Sequence, residues 1–311
     1  MSTEKPRLNN LHKITELFDK HCSDMRIVAV NPVDDHSLDV MKRSLTHGVK
    51  HISACVAGEP DARLNALAAD ERLEIIGCTD VDDAAAKAVA LARSGQADVI
   101  FKGFINTDNL LHAVLNKEVG LLDPGAVMTH ITATDIPDYH KLLIFSDAAV
   151  IPYPNTVQIE AIVRYGKSLL QFLGVKHPKL ALIHFTEKSN PKFAITTSYA
   201  HVIELANSGE LGTISIEGPM DVKTACDKKA AEIKHIEGAV AGDADMLVFA
   251  DLEAGNTFYK TISLFGKATM AGIICGCRVP IVIPSRADSV ESKYVSLALA
   301  CVAQKAFTAS N

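Results

Sequence analysis

Three stretches of the chain end an apolar run in side chains that bind anions. In Val279–Ser289 (VPIVIPSRADS) the run stops at Pro284 and delivers Ser285 and Arg286 just before a helix-capable segment. A hydroxyl, a guanidinium and the N–H groups of a helix start form a site for a tetrahedral oxyanion. Asp288 with Glu291 three residues later also fits an Asp-x-x-Glu capping box, which needs no ligand. Phe101–Asp108 (FKGFINTD) repeats the theme, with Lys102 at the end of the run and Gly103 permitting close backbone approach. Thr107 then supplies a hydroxyl near a helix start, although an ordinary strand–turn–helix with a surface lysine reads the same way. In Ala244–Asn256 (ADMLVFADLEAGN), Glu253 and Asn256 follow the run as substrate contacts or as helix caps.

Several common chemistries have no motif here. Gly266-Lys267 is followed by Ala268 and lacks the upstream glycine of a phosphate-binding P-loop. G-x-G-x-x-G, G-x-S-x-G and H-E-x-x-H are all missing. His47 and His51 are four apart, but His51 opens a strand-like run, and no metal is assigned. Most of the seven cysteines sit in apolar contexts, as Cys55, Cys78 and Cys301 do, and read as buried reduced thiols. Cys275-Gly276-Cys277 has no second pair at zinc spacing.

The elements that must carry these residues alternate along the chain. Arg26–Val30, His51–Val56, Leu73–Gly77 and Asp98–Lys102 read as short buried strands, each followed by a helix-capable stretch. Asp80–Gly95 is the clearest helix, with apolar positions at i, i+3 and i+4 and a terminal glycine. Strands are expected near Met128–Ala133, Leu142–Phe145, Leu180–His184, Gly212–Glu217, Met246–Ala250 and Val279–Ile283. Helices are expected at Thr156–Leu173, from His184 to about Asn207, at Asp221–Ile236 and at Ala287–Phe307. This alternation predicts an α/β fold of two doubly wound, mainly parallel-sheet domains with ligands at the strand C-termini. With 311 residues and 48% hydrophobic side chains the chain can build two cores. A net charge of −6 argues against a nucleic-acid surface. A polar N-terminus and the lack of any long uncharged run predict a cytoplasmic protein with no membrane partner.

Taken together, Lys102-Gly103, Gly218-Pro219, Ala244-Asp245, Asp251-Leu-Glu-Ala-Gly-Asn256, Tyr259-Lys260 and Pro284-Ser-Arg-Ala-Asp-Ser289 resemble the phosphate acetyl/butyryl transferase family. Asn116-Lys-Glu-Val-Gly-Leu121 and Asn190-Pro-Lys192 resemble its butyryl branch more. The resemblance implies interconversion of acyl-CoA plus phosphate with acyl phosphate plus CoA, by direct thiol attack in a ternary complex. It implies small-molecule substrates, acyl-CoA and phosphate, with coenzyme A as substrate and no tightly bound cofactor, and a homodimer or larger assembly. It also implies a fold like that of isocitrate and isopropylmalate dehydrogenases, with a cleft between residues 1–148 plus 275–311 and residues 149–274.

Within that resemblance Ser285 and Arg286 take the oxyanion and phosphate, with Asp288 and Glu291 beside them as the catalytic carboxylates that could serve as general base. Lys102, Thr107, His112, His130, Glu253 and Asn256 become substrate-binding residues. The acetyl branch carries an aspartate seven residues after the matched serine, where this chain has Ser292. His112 and His130 stand where relatives carry arginine, and a neutral imidazole holds phosphate less well than a guanidinium. Lys223 stands where the resemblance expects an acid. Two other readings stay open: a CoA- or acyl-phosphate-binding sensor, and a metal-dependent decarboxylating dehydrogenase using Asp243, Asp245 and Asp251.

Overall fold

The computed structural model describes residues 11–285 and 288–309. Along the chain run α1 (His12–His21), β1 (Arg26–Val30), α2 (Asp35–Thr46), β2 (His51–Ala57), α3 (Ala62–Leu67), β3 (Leu73–Cys78), α4 (Val81–Arg93), β4 (Val99–Lys102), α5 (Thr107–Val114), β5 (Thr129–Asp135) and β6 (Leu143–Ser146). There follow α6 (Thr156–Phe172), β7 (Lys179–Ile183), α7 (Ala194–Asn207), β8 (Ser215–Met220), α8 (Val222–Cys226), α9 (Lys228–Ile233), β9 (Met246–Val248), α10 (Leu252–Leu264), β10 (Thr269–Cys275), β11 (Ile281–Val282) and α11 (Val290–Ala309). Two compact units form, one from residues 1–16 and 132–270, the other from 17–131 and 271–311.

In the second unit the strands lie in the order β3-β2-β1-β4-β11, all parallel, with β10 antiparallel to β11 through Ile274 and Ile281. Burial on both faces explains why β1 reads as an unbroken apolar run. α4 starts where the Asp80 carboxylate accepts the N–H groups of Asp82 and Asp83 at 2.9 and 2.8 Å. It buries Ala84, Ala85, Ala88, Val89 and Ala92. α11 is buried on all sides from Lys293 to Ala303 and forms a central pillar of this unit.

In the first unit β6, β9, β7 and β8 are parallel neighbours in that order, with β5 antiparallel to β6. Its core gathers Phe145, Leu247 and Phe249, with Phe258 set edge-on to Phe145 at 5.2 Å between centroids. Among the described residues no helix is long and apolar enough to cross a membrane.

Among the differences from the sequence expectation are a divided helix, an added strand and α7, which begins at Ala194 rather than just after His184. The helix expected over Asp221–Ile236 divides at Asp227, whose extended backbone interrupts it. The Asp227 carboxylate then caps the new helix by accepting the Lys229 N–H at 2.9 Å. β10 is a strand the sequence reading omitted. It forms an antiparallel pair with β11, and the Cys-Gly-Cys segment lies in its connection, with Gly276 at φ +91°.

Candidate functional site

The C-terminal ends of β1, β4 and β11 lie side by side, with Val30 opposite Lys102 and Val282 opposite Phe101. The loops leaving β1 and β4 press against each other there. Gly103 N–H donates to the Val30 carbonyl at 2.9 Å and Phe104 N–H to the Asn31 carbonyl at 2.8 Å. Asn31, buried and at φ +49°, ties the loops together with its side chain. Its Nδ2 donates to the Phe104 carbonyl at 2.7 Å, and its Oδ1 accepts the Ala57 N–H at 3.2 Å. The chemistry-bearing side chains therefore rise from a braced sheet edge.

A cavity of about 310 Å³ opens at this edge. The β4–α5 connection contributes Lys102, Gly103 and Phe104 to its wall, and the β11–α11 segment contributes Pro284, Ser285 and Lys293. The start of α2, Asp34 to Ser37, closes the third side. Lys102 is 5% exposed and Lys293 6%. The two acids on the wall are already engaged. Asp34 accepts the Ser37 hydroxyl at 2.5 Å and the Ser37 N–H at 3.1 Å, capping α2. Asp35 is ion-paired with Arg63, which also holds Asp61. Two lysines, a serine and a helix start thus line a small space together with two acids, of which Asp35 is ion-paired to Arg63, a set of residues able to hold an anion.

The structure sets Lys102 and Ser285 on one cavity, although they are far apart in sequence. Arg286 lies outside the described residues. The Asp288 carboxylate turns back to accept the Ser285 N–H at 2.7 Å, and Asp288 N–H donates to the Ser285 carbonyl at 3.2 Å. Asp288 is thus tied to Ser285 by both its side chain and its backbone. The cap of α11 falls one residue later than the Asp-x-x-Glu pattern places it: Ser289 Oγ accepts the Ser292 N–H at 3.1 Å. Glu291 points elsewhere and pairs with Arg43 at 2.6 Å. Arg43 also lies 3.8 Å from the Tyr294 ring centroid.

The remaining sequence candidates do not line this cavity. Thr107 and His112 are exposed on α5, and His130 is half-buried on β5. Glu253 and Asn256 belong to the other unit, on α10. There Glu253 accepts the Tyr153 hydroxyl at 3.4 Å and Asn256 Nδ2 donates to the Ala148 carbonyl at 2.9 Å. Lys293, Asn31 and the start of α2 were not among the sequence candidates. The signal for Lys293 is a lysine sharing a helical face with Leu297 and Ala300, a buried stripe in α11.

Two other chemistries find little footing. Burial pushes the Cys22, Cys55, Cys226 and Cys277 thiols up to about 12, so none offers a ready thiolate. Asp243 and Asp245 precede β9 whereas Asp251 follows it, so the strand holds them at opposite ends. Asp243 is held by Lys141 and Lys179 at 2.8 and 2.5 Å, and these contacts keep it well below the usual carboxylate range. Asp251 caps α10 by accepting the Ala254 N–H at 2.7 Å. Among the described residues no group of three or more His, Cys, Asp or Glu is placed to share a metal.

Residues 73–301 match the family model described as "Phosphate acetyl/butaryl transferase". The chain belongs to that family. The matched span includes Lys102, Ser285 and Lys293, while the Asp34–Ser37 wall precedes it. The phosphate butyryltransferase of Clostridium acetobutylicum is 36% identical over 229 residues, covering 74% of this chain and 76% of its own length. The phosphate acetyltransferase of Rhizobium meliloti is likewise 36% identical over 248 residues, covering 78% of each. A crystal structure of a branched-chain phosphotransacylase from Enterococcus faecalis superimposes with a TM-score of 0.77 at 29% identity. That match covers 90% of this chain and 99% of the other. One butyryl and one acetyl relative thus share the same 36% identity with this chain.

Proposed function

We propose that this member of the phosphate acetyl/butyryl transferase family moves a short acyl group, butyryl or acetyl, between the sulfur of coenzyme A and phosphate. The cavity at the ends of β4 and β11 is the seat of the phosphate. The observation that carries this reading is the shared lining of one small cavity by Lys102 and Ser285, both within the family-matched span.

In the direction of acyl-CoA formation the CoA sulfur attacks the carbonyl carbon of the acyl phosphate. The C–S bond forms, negative charge gathers on the carbonyl oxygen, and the C–O bond to phosphorus then breaks. Phosphate departs with the bonding electron pair. Ser285 is the donor for the oxygen that gains charge, and Lys102 holds the phosphoryl group, with Arg286 assigned to it from sequence likeness. Lysine charge favours departure as well as binding, because negative charge on the phosphate grows as the bond breaks. His36 lines the cavity and has the right chemistry to accept the thiol proton. The burial of the cysteines supports direct transfer over an acyl-enzyme.

The direct test is thiol release from acetyl-, propionyl-, butyryl- and isobutyryl-CoA, with and without phosphate. Phosphate-dependent release from at least one ester is expected; equal rates with and without phosphate would remove the reading. Ser285→Ala should lower kcat about tenfold to a hundredfold with little change in the KM for CoA ester, because one donor to the developing charge is lost. The turn should survive, since Asp288 bonds the Ser285 backbone. A rise in the CoA-ester KM with kcat unchanged would count against the donor role. Asp288→Asn keeps a carbonyl acceptor for the Ser285 N–H, so activity within about threefold of the original is expected from an acceptor role that survives. A loss as large as that of Ser285→Ala would make Asp288 a proton carrier instead.

A further inference from the structure

α11 is apolar and buried around its whole girth, yet it carries a lysine at 293 with only 6% of its surface exposed. Among the described residues no carboxylate comes within 4.0 Å of its Nζ, and no hydrogen bond engages its side chain. An unpaired cation in such a place is costly, so a chain that keeps one has a use for the charge. The nitrogen is not sealed off: the orphaned buried side-chain atoms among the described residues are His184 Nδ1 and Tyr294 Oη, and Lys293 lines the cavity. Around it stand Lys102, the Ser285 segment and His36, while Asp34 is taken by Ser37 and Asp35 by Arg63. Asp35 is neutralised by Arg63, and the Asp34 carboxylate, although on the wall, is not within 4.0 Å of the Lys293 Nζ.

We propose that Lys293 is a phosphate ligand of this cavity, its ammonium binding the terminal phosphoryl oxygens of inorganic phosphate and of the acyl phosphate. The acyl-phosphate half of this assignment rests on the function proposed above; the anion site does not. A space of about 310 Å³ suits phosphate with a short acyl chain and is at the lower end of what ligand pockets offer. CoA recognition therefore falls to residues outside this cavity, and Lys293 separates the affinities for the two substrates.

Lys293→Met preserves the length and apolar stem while removing the charge, and Lys293→Arg keeps the charge. Thermal midpoints are measured at fixed ionic strength while inorganic phosphate replaces chloride. In the unaltered chain the midpoint rises with phosphate; in Lys293→Met the rise disappears, and in Lys293→Arg part of it returns. The KM for phosphate should increase tenfold or more in Lys293→Met, with the KM for the CoA ester changed less than about twofold. Should Lys293→Met have a depressed midpoint without phosphate, Lys293→Gln carries the same two readouts. A phosphate response and phosphate KM left intact by loss of the charge overturn the assignment, as does an unaltered chain whose midpoint ignores phosphate. Phosphate stabilisation abolished in Lys293→Met without any thiol release by the unaltered chain would uphold the anion site and sink acyl transfer. Thiol release with a phosphate KM indifferent to residue 293 would do the reverse.

Discussion

Arg286→Ala should lower kcat/KM for phosphate by about a hundredfold or more, a loss near 2.7 kcal/mol. Arg286 follows Ser285 directly in the chain, and Ser285 is on the cavity wall. A guanidinium offers planar, paired donors to two phosphoryl oxygens at once, and its removal leaves the dianion to lysines, which act as point charges. Arg286→Lys should therefore recover only part of the loss. Added guanidinium ion should restore a measurable fraction of the Arg286→Ala rate, because the missing group is small and soluble. The check is steady-state thiol release as a function of phosphate, with circular dichroism to establish the fold. Unchanged kinetics in a folded Arg286→Ala protein would take Arg286 out of the reaction.

Gly103→Ala should have the second large effect, and mainly on the scaffold. A Cβ there would lie 2.7 Å from the Asn31 carbonyl oxygen and the Pro32 Cα, and 2.8 Å from the Val30 carbonyl oxygen. All three are backbone atoms, so no side chain can swing aside. Relief requires parting the two loops, which gives up the bonds from Gly103 N–H and Phe104 N–H. A cost of about 3 kcal/mol is expected from overpacking and the lost bonds. For a unit of this size that lowers Tm by roughly 6–12 °C. Because Lys102 precedes this glycine, phosphate affinity should fall as well. A Tm and a phosphate KM equal to those of the unaltered chain would show that the loops do not brace the cavity.

The parallel strands were legible because burial on both faces leaves a plain signature, as in RIVAV of β1. The placement of Lys102 and Ser285 at the sheet edge was legible for a related reason: each stands where an apolar run stops. β10 was not, because Thr269 and Gly272 dilute its apolar run and the alternation of strand and helix says nothing of an antiparallel partner. Lys293 was hidden by its type. A lysine in a helix reads as a solvated charge, and the face it shares with Leu297 and Ala300 marks it as enclosed only once the packing of α11 is seen. The same limit applies to Glu291, whose partner Arg43 is 248 residues away. Asn31 left no mark either, since its positive φ and its grip on Phe104 and Ala57 arise from the meeting of three strands.

The most direct measurement is a crystal structure of the chain grown with inorganic phosphate at a concentration that saturates its thermal response. A tetrahedral anion is expected in the cavity at the ends of β4 and β11, within hydrogen-bond distance of Lys102, Ser285 and Lys293. An anion held elsewhere, with this cavity filled only by water, would rule out the phosphate seat.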